Sequence, residues 1–79
     1  MPGKQRQQRD PRREVLQHLG ERVRSVRQRR GLTQESLASS LDISIAYVSL
    51  IERGGRNPPY TTVVAIANAL GVSPRDIVE

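Results

Sequence analysis

The 79-residue chain has no cysteine, tryptophan or phenylalanine, and its only aromatic residues are Tyr47 and Tyr60. Without thiols there is neither a disulfide nor a thiolate metal site to staple a domain this small, so stability must come from an apolar core. The absence of cysteine also fits a reducing compartment. With so few aromatics, that core must be built from Leu, Ile, Val and Ala, which suits close-packed short helices. No uninterrupted apolar run approaches the roughly 20 residues that span a bilayer, and no apolar signal segment follows the basic N-terminus. A soluble, cytoplasmic, single-domain, all-α protein is expected, with no membrane association.

Catalytic signatures are equally scarce. His18 is the single histidine and has no Cys, His, Asp or Glu cluster of the kind a metal site requires, so it is read as a surface residue. There is no Ser-His-Asp order, no P-loop and no glycine-rich phosphate cradle, and a chain of this length has little room for a substrate pocket. Neither enzyme activity, catalytic residues, a metal nor a cofactor is expected.

What the chain does have is positive charge, unevenly placed. The formal net charge is +5, yet residues 1–30 alone carry +7 and the remainder −2. Attraction to a polyanion is thus concentrated at the N-terminal end. Residues 1–9 are rich in Gln and Arg and, after Met1 and Pro2, carry no apolar residue to offset the entropy of ordering, so a disordered basic tail is expected, with the folded domain over residues 10–79. Arg6, Arg9, Arg12 and Arg13 would either track phosphates or a neighbouring minor groove, or simply solubilise the chain.

Local signals mark five helices. Asp10 followed by Pro11 is a helix start, and Leu16, Leu19, Val23 and Val26 recur at helical steps as far as about Arg30. Gly31 then closes the helix, with Leu32 folding back on its last turn. Thr33 caps a helix over about Gln34 to Leu41, with Glu35 in its first turn. Ser44 caps another from Ile45 to about Arg53. Their apolar positions are Leu37, Ala38 and Leu41 in the first, Val48 and Ile51 in the second. Gly54 and Gly55 break the chain, and Arg56-Asn57-Pro58-Pro59 forms a rigid connector. Tyr60 to Leu70 reads as a fourth helix with Val63, Ile66, Ala67 and Leu70 inward and Gly71 closing it. Ser73 as cap, Pro74 at the first position and Asp76 as the acidic partner open a short fifth. The second and third helices, about three residues apart, form a helix-turn-helix whose steep crossing leaves the outer face of the second member free to enter a major groove.

The residues Gly31-Leu32-Thr33-Gln34-Glu35, Leu37-Ala38, Ile43-Ser44, Tyr47-Val48-Ser49, Ile51-Glu52-Arg53-Gly54, Arg56-Asn57-Pro58 and Ile66-Ala67-Asn68-Ala69-Leu70 together resemble the lambda-repressor and Cro-like, or xenobiotic-response-element, helix-turn-helix family, over roughly Leu19 to Val78. The chain departs from that pattern at Asp42, where the family commonly has glycine; aspartate tolerates the left-handed backbone better than most residues. It departs again at Ile45 and Ala46, where the family often presents Gln, Arg or Asn. Those two side chains have no group for bidentate reading of a purine and suit apolar contact with thymine methyls.

The resemblance implies a sequence-specific DNA-binding transcription regulator, repressor-like and of bacterial or phage type. It implies that Gln34 bonds a backbone phosphate at a helix N-terminus, and that Arg53, Arg56, Asn57 and Thr61 grip phosphates from the following loop. Ser44, Ile45, Ala46, Ser49 and Leu50 form the base-facing set, with Ser44 also accounted for as a cap and Leu50 also placeable as partly buried. Tyr47 has two readings, a hydroxyl on phosphate or a ring covering the core edge. Glu52 is expected in a structural ion pair or hydrogen bond.

One such domain grips few base pairs, so a homodimer on an A/T-leaning palindrome is expected, with double-stranded DNA as partner. Val72, Ile77 and Val78 are its interface candidates; the alternative is that they complete the monomer core. No separate sensor domain is expected beside the five helices, which resembles restriction-modification controllers, phage repressors and antitoxin-type regulators. The rival reading is a protein-interaction module that uses the apolar Ile45, Ala46 and Leu50 patch.

Overall fold

The apolar repeat that begins the domain does form a helix, α1, over Pro11–Arg29. A computed structural model describes residues 11–79, so the Asp10 cap and the basic tail over residues 1–9 lie outside the described residues. After α1 come α2 (Gln34–Leu41), α3 (Ile45–Glu52), α4 (Tyr60–Leu70) and α5 (Arg75–Val78). No strand occurs among the described residues, and no helix there is long and apolar enough to cross a membrane.

The turns follow from local chemistry. Gly31 takes φ +72, which lets the Leu32 N–H reach back to the Arg27 carbonyl at 3.0 Å and closes α1. The Thr33 hydroxyl accepts from the Ser36 N–H at 2.9 Å while the Ser36 hydroxyl accepts from the Thr33 N–H at 3.0 Å, so a serine completes the reciprocal cap of α2. Asp42 ends α2 at φ +57 and ψ +44, the left-handed conformation expected of it. This puts the Ile43 N–H on the Ala38 carbonyl at 3.0 Å and turns the chain into α3.

The core is a single cluster. Leu19, Val23 and Val26 of α1 meet Leu37 and Ala38 of α2, Val48 and Ile51 of α3, Val63, Ile66, Ala67 and Leu70 of α4, and Ile77 of α5. Leu16, placed by its spacing in the inward stripe, is only half-buried; it lines a shallow hollow with Pro11, Arg12, Val15 and Asn57. α1 packs against both α3 and α5, and α2 against α3 and α4. The approach of α1 to α3 depends on Gly20: a Cβ there would lie 2.4 Å from the Ile51 carbonyl oxygen and 2.5 Å from that of Glu52.

Two expectations at the C-terminal end need correction. Ile77 is fully buried in the core of its own chain and is not available as an interface residue, whereas Val78 is 51% exposed and Val72 is half-buried against the core. α5 begins at Arg75 rather than at Pro74, although Pro74 already has helical angles and the Asp76 carboxylate accepts from the Ser73 N–H at 3.0 Å. With four residues, α5 is too short for periodicity to tell its inside from its outside.

Candidate nucleic-acid interface

α3 is oriented from behind. Val48, Ile51 and Glu52 are buried, and the Ser44 hydroxyl caps the helix by accepting from the Tyr47 N–H at 3.0 Å. The opposite side is open: Ser44, Ile45 and Ala46 are exposed, and Ser49 and Leu50 are half-buried. Leu50 is partly covered by the next turn, its Cδ2 3.3 Å from where a Cβ on Gly55 would stand. α3 itself puts no charged group on the open side, since its single carboxylate belongs to buried Glu52 and Arg53 follows the helix.

Glu52 links three elements. Its Oε2 accepts from Arg27 Nε at 2.6 Å, and its Oε1 accepts from Arg27 Nη2 and from Gln34 Nε2, both at 3.0 Å. The third guanidinium nitrogen, Arg27 Nη1, donates to the Leu32 carbonyl at 2.8 Å. The planar fork of arginine suits this arrangement, because a buried carboxylate needs bidentate bonding to offset its lost hydration. The direct bond from Glu52 raises the Arg27 pKa above the ordinary guanidinium value and outweighs burial, which acts in the opposite direction.

Glu52 has the internal partner expected of it, and the partner is Arg27, one of the ten Lys and Arg residues that make residues 1–30 basic. Helical phase places Arg27 only once the side of α1 that meets α3 is known. Arg27 stands seven residues, about two turns, after Gly20 and therefore on the same side of α1, the side that meets α3.

The second hydrogen of the Gln34 amide nitrogen remains for another acceptor. Gln34 is the first residue of α2, and of the opening N–H groups of that helix the Thr33 hydroxyl takes that of Ser36. At the other end of α3, Arg53, Arg56, Asn57 and Thr61 are exposed. Arg53 Nε donates to the Ser49 carbonyl at 3.3 Å, and the Arg56 guanidinium lies 6.0 Å from the centroid of the Tyr47 ring. That ring is half-buried against the core, so Tyr47 covers the core edge and also carries a cation at its outer side.

Arg22 and Arg29 of α1 and Arg30 just after it frame a groove of about 400 Å³ with Val26, Val72 and Asp76, lined by no residue of α3. Arg22 donates to the Asp76 carbonyl at 3.2 Å and Arg30 to that of Gly71 at 3.4 Å. His18 is exposed, as expected, with its Nε2 3.2 Å from the Glu79 carbonyl oxygen.

Two capped helices joined by a left-handed Asp42 turn, the second presenting an open side between a held glutamine and a pair of arginines, define a helix-turn-helix domain. The family described as Helix-turn-helix matches residues 23–77, and the chain belongs to it, in its lambda-repressor and Cro-like branch. The chain is 39% identical over 61 residues to the HTH-type transcriptional regulator DdrOP3 of Deinococcus deserti, a match over 77% of this chain and 47% of that protein. It therefore spans about half the length of that curated relative.

Among solved structures, the restriction-modification controller protein C.AhdI of Aeromonas hydrophila superposes with a TM-score of 0.76 at 37% identity, covering 78% of this chain and 94% of that one. The controller C.Esp1396I, solved as a tetramer in complex with its natural 35 base-pair operator, superposes with a TM-score of 0.70 at 27% identity, covering 82% and 96%.

Proposed function

We propose that this protein is a sequence-specific DNA-binding transcription regulator that acts by occupying its site and performs no chemistry. The observation that carries the reading is the open side of α3, left uncharged and unfilled while cations and a positioned amide flank it. Gln34, Arg53, Arg56, Asn57 and Thr61, with the Tyr47 hydroxyl, contact phosphates and set the register; Ser44, Ile45, Ala46, Ser49 and Leu50 face the bases. Glu52 and Arg27 touch no DNA in this scheme. They hold Gln34 so that its remaining amide hydrogen is aimed at a phosphate without ordering a flexible side chain on binding. The few polar groups on α3 leave room for shape and deformability of the duplex to add selectivity.

A dimer on a palindrome is proposed with Val72 and Val78, but not Ile77, at its interface. The operator-bound tetramer of the related controller supports repetition of such a domain along one duplex.

Selection of bound sites from random duplexes, followed by a salt titration, tests the reading. We expect an enriched palindrome and an affinity that falls by about 0.9 log unit per log unit of salt for each phosphate neutralised. Gln34→Ala should weaken all sites alike, and Ile45→Gln should change which site is selected. No enrichment, or binding indifferent to salt, would refute DNA reading and favour the protein-interaction module instead.

A further inference from the structure

The open side of α3 carries only hydrocarbon and hydroxyl groups on the helix's own residues, with the Arg53 side chain reaching back to the Ser49 carbonyl at its C-terminal end. Ile45 is 45% exposed, Ala46 is exposed, Leu50 is half-buried, and the polar atoms between them are the hydroxyls of Ser44 and Ser49. In a major groove, the hydrocarbon on offer to such a surface is the C5-methyl of a pyrimidine. Thymine and 5-methylcytosine both carry it, in the same place. They differ at the neighbouring exocyclic atom, where thymine has the O4 acceptor and cytosine the N4 donor.

A side chain with one fixed polarity would separate those two bases. A serine hydroxyl donates and accepts and rotates to suit. Although the Ser44 oxygen already accepts from the Tyr47 N–H, its O–H and a further lone pair remain. The surface therefore distinguishes a pyrimidine with a methyl from one without, and is indifferent to the exocyclic group beside it. The occupant of this apolar surface is a nucleic acid rather than a protein because exposed Arg53 and Arg56 and the amide of Gln34 border it, complementary to a polyanion.

We infer that this protein reads C5-methylated pyrimidines, so that cytosine-C5 methylation at the bases facing Ile45 and Ala46 creates binding rather than blocking it. This rests on the DNA-reading function proposed above and adds a dependence on the covalent state of the operator. A regulator with this property responds to a cytosine-C5 methyltransferase at any site that carries cytosine in a position where the selected duplex carries a contacted thymine.

The experiment uses the full chain and the duplex obtained by selection, altered one base at a time. Replacing a contacted thymine by uracil removes only the methyl and should weaken binding by about fourfold, the factor that corresponds to one buried methylene-sized group. Replacing the T·A pair by C·G should weaken it at least as much, and replacing it by 5-methylcytosine·G should recover most of the loss. In Ile45→Ser the uracil and thymine duplexes should bind alike. Uracil binding as well as thymine at every position, or 5-methylcytosine failing to recover what cytosine loses, overturns the inference while leaving sequence-specific binding intact. A selection that enriches no duplex overturns both.

Discussion

Glu52 accepts three hydrogen bonds from two side chains and shows what one buried carboxylate controls. Glu52→Ala leaves the Arg27 guanidinium buried without its counter-charge, a loss of about 3–5 kcal/mol that urea denaturation should register. Replacing both partners, Arg27→Met with Glu52→Leu, removes the charges together and should keep stability within about 2 kcal/mol of wild type, the loss including the bond to Leu32. That double variant nevertheless frees Gln34, so its affinity for every duplex should fall about fivefold with unchanged preference. Such a separation of stability from affinity is the signature of a positioning role.

Because the folded pKa of Arg27 lies above its unfolded value, its contribution is complete below the ordinary guanidinium range and is lost only as pH rises through the still higher folded value. The stability difference between wild type and Glu52→Gln should therefore stay constant from about pH 7 to about pH 10. Gly20 makes the opposite point about a residue with no side chain. Alanine there gains about 1 kcal/mol of helix propensity, but its methyl meets two backbone carbonyls of α3 that cannot swing aside. Gly20→Ala should be net destabilising by about 2 kcal/mol or more in chemical denaturation, since α1 must lift from the helix it supports.

At the scale of elements, caps and stops were legible because they act within a few residues. Thr33, Ser44 and Gly71 bound α2, α3 and α4 where the sequence places them, and Asp42 fills the left-handed turn position without being glycine. Which side of α1 faces α3 was not legible. The apolar stripe of α1 is seen directly in sequence, while the roles of Gly20 and Arg27 exist only once another helix arrives to pack there. The candidate site was legible to the extent that it lies on one short helix and the loop after it; the bond from Gln34 to Glu52 spans 18 residues and leaves no local trace.

The cap of α3 also tests where that helix points. Ser44→Ala should cost about 1 kcal/mol of stability through the lost bond to the Tyr47 N–H. Ser44→Asp should keep the cap and remain within about 0.5 kcal/mol of wild type, since aspartate is an equally good N-cap and favours the positive helix end. It would also set a carboxylate against the polyanion, so binding should fall at least about tenfold, by like-charge repulsion. Wild-type affinity in Ser44→Asp would mean that the start of α3 does not approach DNA.

For the molecule as a whole, the distribution of charge over two sides separates attraction from contact. Arg22, Arg29 and Arg30 frame a groove lined by no residue of α3, so in the proposed docking they do not reach the duplex. Replacing them by glutamine should leave the salt slope unchanged, whereas Arg56→Gln should lower it by about 1 per domain. The side beyond α5 is where a second copy is proposed to sit, and its burial pattern separates a folding defect from an assembly defect. Ile77→Asp would place a carboxylate in the core and unfold the chain, whatever its effect on association. Val78→Asp alters a residue already half in water, so monomer stability should change by no more than about 0.5 kcal/mol. In a two-fold dimer each such change occurs twice at the same patch and brings two carboxylates together. Sedimentation should then shift towards the monomer. Binding to a palindrome should weaken while binding to a single half-site stays as it was, and equal behaviour of wild type and Val78→Asp on both duplexes would move the interface away from α5.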